Sequence, residues 1–168
     1  MRLYIVRHAI AAPHGTPGLP EDDRPLTEDG IKKMRQAAAG LRSLDYVPEL
    51  IMSSPLPRAL QTAEILIDTF GLKRARLEIL EALAPAGSRE ELYLAIASHE
   101  KKLESLMLVG HQPSLGEIAG EIIWGAAEHS LDLKKGGACL IELEHLGVPP
   151  SGNLVSLLTP SILRKLSV

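Results

Sequence analysis

Three short stretches of this chain place anion-handling residues just after apolar, β-rich runs. Arg7-His8 follows Leu3 to Val6, Ser53-Ser54-Pro55-Leu56-Pro57-Arg58 follows Leu50-Ile51-Met52, and Gly110-His111-Gln112-Pro113 follows Leu106-Met107-Leu108-Val109. Each apolar run has the length and composition of a buried strand. In α/β sheets ligands bind outside the carboxyl ends of the strands. A cation beside an imidazole at such an end suits an anion site that contains a nucleophile or a base. Ser54 is a good helix N-cap, and Pro55 fits the first helical position. Arg58 is then one turn in from a helix N-terminus, near unpaired N–H groups and the positive end of the dipole. Taken singly each pattern is weak, because an Arg-His pair is often a surface dipeptide and most helix arginines are solvated. If the three strands run parallel, Arg7, Arg58, His8 and His111 converge on one anion.

The remaining elements say whether such a sheet exists. A polar, Pro-rich loop, Ala9 to Arg24, is too broken for a helix and is expected to cover or border the site, with Asp22, Asp23 and Arg24 at its entrance or on a solvated face. Thr27 caps a helix running to about Leu44, with Ile31, Met34, Ala38 and Leu41 as its buried stripe. The helix after Pro55 ends at Gly71. Arg76 to Leu80 reads as a short strand, followed by the loop Glu81 to Gly87. Ser88-Arg89-Glu90-Glu91 has the capping-box spacing and starts a helix lasting to about His99. Pro113 marks a second abrupt strand-to-helix turn, and that helix runs to Trp124-Gly125. After Gly136-Gly137, the segments Ala138 to Leu143 and Leu154 to Leu158 form a late hairpin, with Gly152-Asn153 in the connection. Ser161 to Leu166 closes as a helical turn. The alternation predicts a single α/β domain over residues 1–168, with a mostly parallel central sheet.

Composition narrows the function. The chain has 168 residues, 45% of them apolar, which is enough for one sizeable core. A net charge of −3 with no basic stripe excludes electrostatic support for nucleic-acid binding, so positive charge at a phosphate site must be concentrated locally. The first residues lead directly into a strand without a leader pattern, and no apolar run approaches a membrane span, so the expectation is a cytoplasmic protein with no membrane contact. Cys139 is the lone cysteine and lies in an apolar run, which reads as a packed thiol. No histidine pair has His-x-x-x-His spacing, so neither a metal nor another cofactor is implied. His14, His99, His129 and His145 read as surface residues.

With these stretches in order, the sequence resembles the histidine phosphatase superfamily, whose signature is a strand ending in Arg-His-Gly, a second Arg after a Ser-Pro, and a later Gly-His. Arg24-Pro25-Leu26-Thr27…Gly30, Ser53-Ser54-Pro55…Arg58-Ala59…Gln61-Thr62-Ala63 and Val109-Gly110-His111-Gln112-Pro113 are most similar to its small phosphohistidine phosphatases of the SixA type. The resemblance implies a three-layer αβα sandwich of the phosphoglycerate mutase-like kind. It implies His8 as nucleophile, forming a phosphohistidine that water hydrolyses, and Arg7, Arg58 and His111 as phosphate-binding groups. His8 must attack as neutral imidazole, and the two arginines are expected to push its pKa down.

There are two departures from the family pattern. Ala9 stands where the family has glycine, which would be strained at positive φ and tolerated in the β region. Many ester-cleaving members use a carboxylic acid after the third strand to protonate the leaving oxygen. Here Glu81 is the nearest candidate for that proton donor, with a solvated loop carboxylate as its other reading. A missing acid favours a labile phosphorylated imidazole over an alkoxide leaving group. The expected partner is therefore a phosphorylated protein such as a histidine phosphotransfer domain. The alternatives are a phosphatase for small phosphate esters and a non-catalytic phosphate- or phosphoprotein-binding module on the same fold.

Overall fold

The computed structural model describes residues 1–99 and 102–167. Its strands are β1 (Arg2–Arg7), β2 (Leu50–Ser53), β3 (Leu77–Ile79), β4 (Ser105–Gly110), β5 (Ala138–His145) and β6 (Ser151–Leu158), and they form one sheet in the order β3-β2-β4-β1-β5-β6. β3, β2, β4 and β1 are parallel, while β5 and β6 extend the sheet as an antiparallel pair. The helices are α1 (Glu28–Ser43), α2 (Pro57–Phe70), α3 (Arg89–Ala97), α4 (Ser114–Trp124) and α5 (Pro160–Lys165).

The two-residue period of the strands sorts the core into two layers. Leu3 and Ile5 of β1, Leu50 and Met52 of β2, and Leu106 and Leu108 of β4 pack with Leu92 and Ile96 of α3 and Leu115, Ile118 and Ile122 of α4. The alternate residues Tyr4, Val6, Ile51, Met107 and Val109 pack with Met34, Ala38 and Leu41 of α1, Ala63 and Leu66 of α2, and Leu163 of α5. Both faces of the central strands are covered, which is why their sequences are unbroken apolar runs. The result is the expected three-layer αβα sandwich. Among the described residues no helix is long and apolar enough to cross a membrane.

Several boundaries moved for identifiable reasons. α1 starts as expected, with the Thr27 hydroxyl accepting from the Gly30 N–H at 3.0 Å. α2 begins at Pro57, two residues later than the Ser54 cap implied, with Leu56 as its N-cap in extended conformation. A residue before proline is pushed out of the helical region, so Pro57 forbids an earlier start. Arg58 is consequently the second residue of α2. The loop from Glu81 is partly ordered as a 3-10 turn, Glu81–Leu83. Gly152 and Asn153 lie inside β6 opposite Leu143 and Glu142. A Cβ on Gly152 would stand 2.4 Å from the Glu142 carbonyl oxygen, so the glycine serves close strand approach and not a turn.

Candidate active site

The parallel register brings the three chemical stretches to one level. Arg7 pairs with Gly110, and Val109 pairs with Ser53. The ladder continues one residue further, because the His8 N–H donates to Gly110 O and the Ser54 N–H donates to Val109 O, both at 2.9 Å. His8, Ser54 and His111 therefore stand side by side at the carboxyl edge of β1, β2 and β4. The rings of His8 and His111 lie 5.2 Å apart, centroid to centroid, at 54°.

His8 is only 5% exposed. Its Nδ1 lies 2.7 Å from the Ala9 carbonyl oxygen. A carbonyl can only accept, so Nδ1 carries the proton and the Nε2 lone pair is left for the cleft. Burial is the main force depressing the His8 pKa, to about 3; the Ala9 bond opposes it, and His111, Arg58 and Arg7 add to it. The two arginines thus act in the expected direction but are not the leading cause. Burial likewise lowers His111 to about 4, with help from Arg58, Arg24 and Arg7. Both imidazoles are neutral at pH 7.

Three guanidinium groups face this pair. Arg7 Nη1 donates to Leu133 O at 2.8 Å, and Arg58 Nη1 donates to Glu21 O at 3.2 Å. Main-chain carbonyls hold both groups, and among the described residues neither forms a direct ion pair; Asp132 attracts Arg7, and Glu21 and Asp22 attract Arg58, only from a distance. Arg24, 3% exposed, donates to Ala12 O at 2.7 Å and pairs with the Glu21 carboxylate. All three have a buried Nε with no partner, as does Nδ1 of His111. Guanidinium donors buried without acceptors are costly, and an anion in the cleft is the kind of group that would satisfy them. The cleft between these groups has a volume of about 280 Å³.

Further residues hold the constellation in place. Thr62 Oγ1 donates back to Arg58 O at 2.7 Å and accepts the Ala9 N–H at 3.0 Å, so α2 pins the main chain directly after His8. The neighbouring Gln61 accepts the Leu26 N–H at 2.7 Å and anchors the far end of the Pro-rich loop. Ala9 does not have positive φ, so alanine is accommodated there without strain, its side chain within the α1/α2 core layer. Gly136, at φ +77, donates its N–H to the carbonyls of both Arg7 and His8 and thereby brings Lys135 to the cleft.

Within this geometry, comparison with known proteins becomes decisive. A family model for the histidine phosphatase superfamily (branch 1) matches residues 3–99. The chain belongs to that superfamily. Phosphohistidine phosphatase SixA of Escherichia coli K12 is 30% identical over 127 residues, covering 74% of this chain and 76% of the relative. An uncharacterised protein of Picosynechococcus sp. PCC 7002 is 41% identical over 143 residues, 82% of each chain. Among solved structures, protein histidine phosphatase SixA complexed with tungstate matches with a TM-score of 0.83 at 25% identity, covering 96% of this chain and 98% of that one. Together these findings support a phosphatase.

For this histidine phosphatase, the cleft gathers four of the five residues singled out from sequence: Arg7, His8, Arg58 and His111. Glu81 is not among them. It is exposed in the 3-10 turn after β3; that turn packs against β4 and Pro85 further along the same loop lines the cleft, but Glu81 itself is not in the lining. The carboxylates that do line the cleft are Glu21 and Asp22. Hydrogen bonds from Arg24 and His14 pull Glu21 below its usual pKa, so it is ionised and poorly suited to donate a proton. His14 sits exposed at the cleft rim. His99 is partly buried 3.8 Å from Glu78, while His129 and His145 are exposed. Cys139 is buried in β5, and burial pushes its thiol up to about 12. Among the described residues no three His, Cys, Asp or Glu side chains group as metal ligands would.

Sequence reasoning read Ser54 as a helix cap and left Lys135 and the anchor role of Thr62 unnoticed. Arg24, expected at the entrance, lines the cleft itself. Pro57 signalled the later helix start, and Gly136-Gly137 marked a tight approach, but only the fold shows what each approaches.

Proposed function

We propose that this phosphatase removes the phosphoryl group from protein phosphohistidine by way of a phosphorylated His8. The observation that carries the reading is a buried, neutral imidazole whose Nε2 is open among three guanidinium groups. Nε2 of His8 attacks phosphorus as the substrate's N–P bond breaks, and the electron pair of that bond stays on the leaving imidazole nitrogen, which takes its proton from water in the cleft. Water then attacks the phosphorylated His8; the Nε2–P bond breaks, inorganic phosphate departs, and neutral imidazole is restored. Arg7, Arg58 and Arg24 neutralise the equatorial oxygens, with His111 as a further donor.

The substrate preference is supported by the carboxylates. Glu21 is tied to Arg24 and Glu81 is not in the cleft lining, so neither is placed as a dedicated acid for an alkoxide, whereas a phosphorylated imidazole does not need one. One observation favours small phosphate esters instead: Asp22 lines the cleft without an ion pair among the described residues.

The test is a rapid quench after mixing the enzyme with a protein bearing labelled phosphohistidine. Acid-labile, base-stable label on the wild type, absent from His8→Ala, together with faster turnover of that substrate than of a sugar phosphate, is the expected outcome. Faster turnover of the ester would transfer the assignment to small substrates. Phosphate binding without any label would mean a binding module.

A further inference from the structure

Ser54 stands fully buried beside His111, its Oγ 2.8 Å from Nε2. The same Oγ accepts the Leu56 N–H at 3.3 Å. A hydroxyl has one hydrogen to give, and here the acceptor within reach is His111 Nε2. Were Nε2 itself protonated, two N–H groups would point at one oxygen and the hydroxyl hydrogen would be buried with nowhere to go, a cost of desolvation that proteins avoid. The neighbouring Ser53 does not compete, because its own hydroxyl turns to the Ser54 carbonyl at 3.0 Å. The opposite ring nitrogen, Nδ1 of His111, is buried and unpartnered in a side chain that lines the cleft and is 3% exposed.

We infer that the Ser54 hydroxyl donates to Nε2 of His111 and thereby fixes the Nδ1–H tautomer, so that His111 presents an N–H, and not a lone pair, to a phosphoryl oxygen. Ser54 is a positioning residue: it touches no substrate and acts through His111. A lone pair at Nδ1 would repel an anionic oxygen that a donor at the same place attracts, so the hydroxyl decides the sign of the contact. This assignment rests on the cleft being a phosphoryl site.

The experiment is ¹⁵N NMR of histidine-labelled protein, with inorganic phosphate as the probe. In the wild type the expected result is Nδ1 protonated in His111, with the Nδ1 and Nε2 signals of both His8 and His111 moved by phosphate. In Ser54→Ala, His111 is expected to shift toward the Nε2–H form, phosphate affinity and kcat are expected to fall roughly tenfold to a hundredfold, and His8, held by a backbone carbonyl, is expected to keep its tautomer as an internal check on folding. Adding His111→Ala to Ser54→Ala should then cost little more than His111→Ala alone. An Nε2–H signal for His111 in the wild type overturns the inference whether or not the variant folds, as does a Ser54→Ala protein with unchanged tautomer and affinity. A wild type whose His8 and His111 signals ignore phosphate would instead remove the phosphoryl-site reading, while the tautomer result stands by itself.

Discussion

His8 and His111 stand on adjacent strands, both buried and both neutral, yet they are held by different kinds of group. The Nδ1 proton of His8 rests on the Ala9 carbonyl, a main-chain acceptor that no substitution removes. His111 leans on the hydroxyl of Ser54, a single side-chain atom. In the proposed arrangement both rings are the same tautomer, but they turn opposite nitrogens to the cleft: His8 offers a lone pair and His111 offers an N–H. The contrast teaches that tautomer and orientation together make one imidazole a nucleophile and the other a donor.

The largest effect should come from separating those two roles. His8→Ala is expected to abolish both turnover and covalent labelling, since no other open imidazole stands in the same place. His111→Ala removes one donor to a developing charge, a loss of about 2.7–4 kcal/mol or 10²- to 10³-fold in kcat, and should still become labelled on His8. Rapid-quench kinetics on the two variants measures both. Label on the His8→Ala protein would exchange the roles.

Acid stability probes what the two rings share. Both native pKa values lie below the ordinary 6.5, at about 3 for His8 and about 4 for His111. Between those values and 6.5 the unfolded chain binds protons that the native state refuses, so stability rises with pH across that window. It is fully present above about 6.5 and is lost as pH falls toward 4 and then 3. At about 1.4 kcal/mol per pKa unit the combined effect is on the order of several kcal/mol. Urea unfolding midpoints at a series of pH values should fall steeply below 6.5 in the wild type and more gently in the His8→Ala/His111→Ala double variant. An equal slope in both would place the acid sensitivity elsewhere.

How far this contrast could be read from sequence differs between its two sides. The strands announce themselves as apolar runs because both faces of the sheet are covered, and the parallel alternation then puts Arg7, His8, Arg58 and His111 on one edge. That much depends on local pattern and topology. Ser54 was legible only as a serine before a proline, a pattern that also begins helices, and it took Pro57 two residues on to move the helix start and leave the hydroxyl for His111. Arg24 belongs to the cleft because the irregular loop folds back on itself, through Ala12 O and the nearby Glu21, and Lys135 because Gly136 binds the carbonyls of Arg7 and His8; neither arrangement leaves a periodic trace. Glu81 is a related case: the turn it opens packs against β4 and Pro85 of the same loop reaches the cleft, yet Glu81 itself is exposed outside the lining, a difference of side-chain direction that sequence order does not carry.

Thr62 sharpens the His8 side alone. Its hydroxyl accepts the Ala9 N–H and donates to Arg58 O, and it is fully buried. Thr62→Val keeps the shape but leaves the Ala9 N–H without an acceptor, an expected destabilisation of about 1–3 kcal/mol by urea unfolding. The same variant should lower kcat by loosening His8, while the ¹⁵N signature of His111 stays as in the wild type. A change in His111 with His8 unaffected would mean that Thr62 supports the wrong corner.

The smallest effect is expected at Glu81, and its smallness bears on the substrate. An acid that protonates a leaving group must reach it by a direct hydrogen bond or through one water. Glu81 is exposed and lies outside the cleft lining, although Pro85 of the same loop is in it. Glu81→Gln should therefore leave kcat/KM for a phosphohistidine protein within about twofold of the wild type, and stability within about 0.5 kcal/mol, as for ordinary surface substitutions. Assayed beside it, Asp22→Asn removes the carboxylate that does line the cleft. If Asp22→Asn slows a sugar phosphate but spares the phosphohistidine protein, the acid requirement belongs to the leaving group, and a cleft with a weak acid is matched to an imidazole. A large loss with Glu81→Gln would require the turn after β3 to close on the substrate during turnover.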